Sequence, residues 1–394
     1  MAVKIILLIL FFGVMMGIGV YARKHATDVN GFVLGGRSVG PWLTAFAYGT
    51  SYFSAVVFVG YAGQFGYKYG LASTWIGIGN AVLGSLVAWV VLGRRTRIMS
   101  KHLGSMTMPD FFGKRYDSQS LRIAASVIAF IFLIPYTASV YNGLSYLFGM
   151  AFDVDFRICV VVMAVLTGVY VIIGGYMATA WNDLIQGIIM LFGIVAVIAA
   201  VLSGHGGFMA AVKELAQVPS SVMPGAYASF LGPDPANLFG VVILTSLGTW
   251  GLPQMIQKFY AIKDEKAVHT GTIISTLFAI VVSGGCYFLG GFSRISGVKE
   301  AVDGTVKYDT IIPTMLSSLP DILIGIVIVL VLSASMSTLS SLVLTSSSTL
   351  TLDFIKPLFV KKMNEKQQLV WMRVLLAGFI LISVVIALDP PAFI

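Results

Sequence analysis

One stretch of this chain concentrates oxygen among apolar side chains. Residues 333–341 read Ser-Ala-Ser-Met-Ser-Thr-Leu-Ser-Ser, six hydroxyls in nine positions. Ala334, Ser337, Thr338 and Ser341 recur at i, i+3, i+4 and i+7, which is one face of a helix. Hydroxyl and main-chain carbonyl oxygens are the hard, uncharged ligands that suit a sodium ion. Serines in a helix also bond back to their own main chain, so packing is the competing reading. Asp183, after Trp181 and Asn182, is the second outlier. An acid at membrane depth points to function. An acid at the membrane edge is simply solvated, and its position in the sequence leaves both readings open.

Two further stretches are broken by small and polar residues. The first is Gly49-Thr50-Ser51-Tyr52-Phe53-Ser54-Ala55; the second runs from Thr245 through Gly248-Thr249-Trp250-Gly251-Leu252-Pro253 to Gln254. Gly and Pro within a span unwind the helix and free carbonyls, which is tolerated only where the backbone is buried or lines a wet cavity. Close helix packing through small residues is the plainer explanation for either stretch alone. A matched pair of breaks in corresponding spans points to a transport site.

These residues need membrane helices to position them. The chain has 394 residues, 57% hydrophobic and only 11% charged, with a mean hydropathy of +0.91 and 42 glycines. An ordinary soluble domain carries about 25% charged residues. Disordered, coiled-coil and typical cytosolic classes are therefore excluded. Cys159 and Cys286 lie inside apolar runs and suggest neither a disulfide framework nor a zinc site. Runs long enough to cross a bilayer fall at 3–21, 41–65, 71–93, 123–149, 156–175, 181–202, 237–260, 270–293, 319–350 and 369–388. The first lacks the flanks of a cleaved leader and reads as a helix.

Eighteen of the 25 Lys and Arg residues, within 23–37, 94–122, 258–266 and 356–373, fall on one set of loop ends. Lys258 is counted among them. The positive-inside rule then puts the N-terminus outside. The basic stretch from Arg94 to Arg122 reads as an inner loop that meets anionic lipid, not as a nucleic-acid surface. The longer outer loops, 203–236 and 294–318, are candidate lids or vestibule walls.

On these residues the chain resembles the sodium:solute symporter family. Gly35-Gly36-Arg37-Ser38, Met108-Pro109-Asp110-Phe111-Phe112, the stretch Gly174-Gly175-Tyr176 to Gln186 with its Trp-x-Asp-x-x-Gln pattern, and Ala334 to Ser340 carry the likeness. It implies an all-α, polytopic, LeuT-type inverted-repeat fold behind an extra N-terminal helix. The leading helix would be 3–21, the first five-helix repeat 41–202, and the second repeat 237–388, one helix short. The resemblance also implies a sodium site served by carbonyls of Thr50, Phe53 and Ala334 and hydroxyls of Ser337 and Thr338. A second sodium site would use Asp183 with Ser337, Ser340 and Ser341.

The expected activity is sodium-coupled import of a small organic solute by alternating access. An amino acid such as proline comes first; a monocarboxylate, a sugar and pantothenate are alternatives, as is proton coupling. Where the family's proline carriers have Asp and Trp, this chain has Tyr52 and Val56. Solute-lining candidates are Tyr52, Phe53, Val56, Tyr136, Tyr141, Thr249, Trp250 and Gln254, since Tyr and Trp offer an apolar face plus a donor. The chain is expected to act as a monomer in the plasma membrane, with sodium, solute and lipid as partners. A channel or sensor would carry rings of like charge or a soluble domain. An enzyme would need a nucleophile–base set or metal spacing, and the four scattered histidines supply neither.

Overall fold

A computed structural model describes residues 2–152, 155–297 and 306–389. Among these residues the regular structure is helical, apart from one isolated bridge between Val39 and Ile262. α1 (Ala2–Ala22) leads, and a short α2 (Val29–Leu34) follows, capped by the Asp28 side chain. α3 (Pro41–Tyr52) and α4 (Ala62–Tyr69) flank the first break, where Phe53 and Ser54 are not helical and Val56–Tyr61 forms a π-helical turn. α5 (Thr74–Gly79) continues through π-helical turns into α6 (Arg94–His102). α7 (Met108–Arg115), capped by Thr107, precedes the long α8 (Gln119–Phe152) and α9 (Phe156–Gly204). α10 (Phe208–Ala216) leads to α11 (Pro235–Gly248) and α12 (Pro253–Ala261), which meet at a 53° bend. α13 (Glu265–Gly290), α14 (Ile311–Leu316), α15 (Asp321–Thr349), α16 (Lys356–Leu358) and α17 (Glu365–Leu388) complete the chain.

Seven continuous helical stretches are long and apolar enough to cross a membrane, and the bent α11–α12 pair makes an eighth. Two of the seven, Val56–His102 and Arg157–Gly204, hold 47 and 48 residues. At 1.5 Å per residue each would reach about 70 Å, over twice a hydrocarbon core. Both reverse at one glycine. Gly70 has φ 63, ψ −143, and Gly175 has φ 55, ψ −147, a region open essentially to glycine alone.

The reversal at Gly70 can be followed along α13. Gly49 abuts Phe278, Gly66 abuts Gly290, Gly70 abuts Gly291, Gly77 abuts Gly284 and Gly93 abuts Val268. The contacts climb α13 and then descend it, so two crossings pack against one helix. Counting a turn at each of these glycines, the described residues hold ten candidate crossings, the number expected from the sequence. Two bounds shift: the second crossing runs on to Tyr69, and the fifth and sixth are separated by Gly175 alone, with no loop at 176–180. Without a Cβ, Gly175 also packs directly on Phe32 of α2.

The contacts sort the charges onto two faces. On the basic face Gly35, Gly36 and Arg37 form three consecutive left-handed residues, with φ of 58°, 68° and 54°. For Arg37 this conformation is strained, costing on the order of 1–3 kcal/mol. Its guanidinium donates to Ser100 Oγ (3.3 Å), to Tyr260 O (3.5 Å) and to Ser105 O, which holds it there. Burial pulls its pKa below the ordinary arginine value. Arg97 reaches across to Ile262 O (3.0 Å) and Lys263 O. Arg122 joins Asp353 (2.9 Å) to Asp110 (3.1 Å), and Thr107 Oγ1 donates to Asp353 (2.5 Å).

On the opposite face Lys4 pairs with Asp321 at 3.1 Å. The Arg294 guanidinium lies between the rings of Tyr67 (3.9 Å) and Tyr227 (4.0 Å). Of the two loops expected to wall a vestibule, 203–236 supplies α10 and Tyr227, while 298–305 lies outside the described residues.

Candidate functional site

The first break positions one cluster of oxygens. α3 stops following the helix at Phe53, so the Thr50 carbonyl turns to another partner. Ser337 Oγ donates to it at 3.1 Å and Thr338 Oγ1 at 3.2 Å. Both hydroxyls also lie 3.1 Å from Ala334 O. Ligands held about 2.4 Å from one hard cation stand about 3.4 Å apart. Four of the six distances among these oxygens are therefore already close to those an ion would impose. All four residues are buried. Phe53, the fifth expected contributor, is buried at the break beside Ser54 and Ala334, around a second small cavity.

The expected second cluster holds a group that the sequence reading places elsewhere. Asp183 is fully buried on α9, two helical turns past Gly175, so the interfacial reading of this acid fails. Lys258 is not a solvated cation of the basic face, as its place in the loop-end count had it. Its side chain is 2% exposed, with Nζ 3.7 Å from Asp183 Oδ2 and donating to Ser341 Oγ at 3.0 Å. Ser341 Oγ in turn lies 2.8 Å from Ser51 Oγ, which donates to Ala47 O. Ser340 Oγ donates to Ser337 O at 2.9 Å within its own helix.

Between the two breaks lies a cavity of about 10 Å³, room for a single water. Tyr48, Tyr52, Phe53, Asn80, Ser85 and Thr249 are among its walls. The Tyr52 hydroxyl donates to Thr245 O at 3.0 Å, and Asn80 Oδ1 accepts from Thr245 Oγ1 (3.0 Å) and Ser246 Oγ (3.1 Å). Of the expected solute residues, Tyr52, Phe53 and Thr249 border this space. Tyr136 is half-buried near Tyr52, and Val56 is half-buried where Gly143 of α8 packs on the first break. Trp250 turns away and donates to Leu83 O (2.9 Å). Gln254 is buried with neither amide atom bonded, and Tyr141 is buried and is not among the walls of this cavity.

The sequence reading missed Lys258, Asn80 and Tyr48. Asn80 was visible as a lone amide in the apolar run 71–93, and Lys258 as a cation inside 237–260. Nothing in the sequence says which acid Lys258 meets.

The profile of the sodium:solute symporter family matches residues 32–392. The osmoregulated proline transporter OpuE of Bacillus subtilis is 28% identical over 99% of this chain and 79% of its own length. Sodium/proline symporter 2 of Staphylococcus saprophyticus is 31% identical over 89% of this chain and 68% of its own. Among solved structures, a Na+-coupled sialic acid symporter in a substrate-bound outward-open state aligns with a TM-score of 0.81, covering 98% of this chain and 82% of that one at 16% identity. That likeness establishes the fold as the LeuT-type arrangement of symporters. With the profile spanning most of its length, the chain belongs to the sodium:solute symporter family.

Proposed function

We propose that the protein imports proline together with sodium across the plasma membrane by alternating access. The observation that carries this reading is the oxygen cluster of Thr50, Ala334, Ser337 and Thr338, where an interrupted α3 meets α15. Sodium is the coupling ion there, with Phe53 as the fifth contributor. The names of the relatives, a proline transporter and sodium/proline symporters, support proline as the solute. Tyr52 and Thr249 line its site, and Tyr136, Val56, Trp250 and Gln254 come into play when the cavity widens.

In this reading 41–202 and 237–388 are the inversely related repeats behind the leading helix, and the basic face is cytoplasmic. Sodium orders the broken α3 and raises solute affinity, and by reciprocity solute raises sodium affinity. Each inward charge carries about 2.3 kcal/mol per 100 mV of potential. Lipid contacts lie along the basic face, and a single copy is the working unit.

Uptake of radiolabelled proline into proteoliposomes under an inward sodium gradient tests the proposal. Sodium-driven accumulation is expected. Persistence of uptake in choline at fixed pH would replace sodium with protons. Thermal stabilisation by a monocarboxylate, sugar or pantothenate, with none by proline, would move the solute to that class.

A further inference from the structure

We infer that Lys258 is a tethered cation that fills the position beside Asp183 and Ser341, so that one sodium ion accompanies each solute. The inference rests on the sodium-coupled reading above and concerns its stoichiometry. Asp183 brings a carboxylate into a fully buried place, and neither of its oxygens accepts a hydrogen bond. A carboxylate that stays ionised there needs a positive charge close by. The Ser341 hydroxyl, which shares the Lys258 ammonium with Asp183, supplies only oxygen, a ligand suited to a hard monovalent cation.

The ammonium of Lys258 meets that need. It stands 3.7 Å from Asp183, 3.0 Å from Ser341 Oγ and 5.1 Å from the centre of the Tyr176 ring. Among the described residues, Asp183 and Lys258 each form their one ion pair with the other. A sodium ion added here would set two positive charges against one negative charge away from water. Ammonium and ion therefore exclude one another.

The difference between them is mobility. A free ion bound at this position would leave with the solute and carry its charge inward. Lys258 is fixed to α12 and stays, so it supplies the same electrostatic partner without being transported. The chain Lys258 Nζ, Ser341 Oγ, Ser51 Oγ also ends one residue from Thr50, whose carbonyl belongs to the first cluster. A neutral side chain at 258 should open this position to a second sodium.

The test compares wild type with Lys258→Met in proteoliposomes, reading the sodium:solute ratio from reversal potentials and counting bound 22Na+ per purified protein. The wild type should couple one sodium per solute with a sodium Hill coefficient near one. Lys258→Met should couple two and bind two. A wild-type ratio of two overturns the inference, as does a Lys258→Met ratio that stays at one. Should Lys258→Met be inactive, its 22Na+ count decides: two ions support the inference and one ion sinks it. The Asp183→Asn/Lys258→Met pair, which removes both charges, should bind one ion, and a count of two would refute the role given to Asp183. Wild type without sodium-driven uptake of any solute fails the transport reading, while the difference in 22Na+ count still tests the lysine.

Discussion

The hydroxyl of Tyr52 on α3 donates to the main-chain oxygen of Thr245 on α11 at 3.0 Å, tying the two interrupted helices together beside the proposed solute cavity. Removing that hydroxyl deletes a part-buried hydrogen bond, worth about 0.5–1.5 kcal/mol net. Tyr52→Phe is expected to raise the solute KM about tenfold and to leave the half-saturating sodium concentration within about twofold, since each 1.4 kcal/mol is a factor of ten. Uptake kinetics at saturating sodium provide the measurement. An unchanged KM would remove Tyr52 from the solute site.

Ser337→Ala and Thr338→Ala each delete one oxygen of the proposed sodium cluster. Each should raise the half-saturating sodium concentration about tenfold, equivalent to 1.4 kcal/mol. Ser335 makes a matched control: it is buried on the same helix, and among the described residues its hydroxyl bonds only to Val331 O (2.8 Å). Ser335→Ala should leave the sodium dependence unaltered. Equal behaviour of all three variants would mean that the hydroxyl face does not bind the ion.

On the basic face Arg122 bridges Asp353 and Asp110, a contact proposed to hold that face closed. Asp353 is fully buried, and removing one partner of a buried ion pair costs about 3–5 kcal/mol. Arg122→Ala should lower the melting temperature and favour opening toward that face. With Cys159 and Cys286 replaced, a cysteine at the buried Ser348 of α15 should react with a maleimide applied from the basic face about tenfold faster in Arg122→Ala than in its parent. Equal labelling rates would show that the closure lies elsewhere.

Gly66 and Gly290 allow α4 and α13 to touch backbone to backbone. A Cβ on Gly66 would fall 2.1 Å from the Gly290 carbonyl carbon, and one on Gly290 would fall 2.0 Å from Ala62 O. Overpacking of this kind costs at least about 1–3 kcal/mol. Gly66→Ala should depress the melting temperature by several degrees. Gly240→Ala, where a Cβ meets nothing within 4 Å, should leave it unchanged. Similar melting temperatures for the two variants would refute the close approach.

Much of this protein is determined locally and can be read from the sequence. Apolar run length fixes ten crossings, and the uneven loop charges sort them onto two faces. Gly and Pro mark both interrupted helices, and helical spacing puts Ala334, Ser337, Thr338 and Ser341 on one face. The reversals at Gly70 and Gly175 fall at or beside the gaps 66–70 and 176–180 between apolar runs, but run length does not show that a single glycine makes each turn. Periodicity also says which residues share a face and stays silent about what that face meets.

Asp183 and Lys258 are 75 positions apart, and Lys258 and Ser341 are 83 apart. Only the packing of α9, α12 and α15 brings them together. It turned Lys258 from a loop cation into the partner of a buried acid, and gave Arg37 the distant carbonyls that hold it in a left-handed conformation. Crossings follow from local hydrophobicity, whereas the partner of a buried charge depends on which helices lie side by side, and that is set by the tertiary fold.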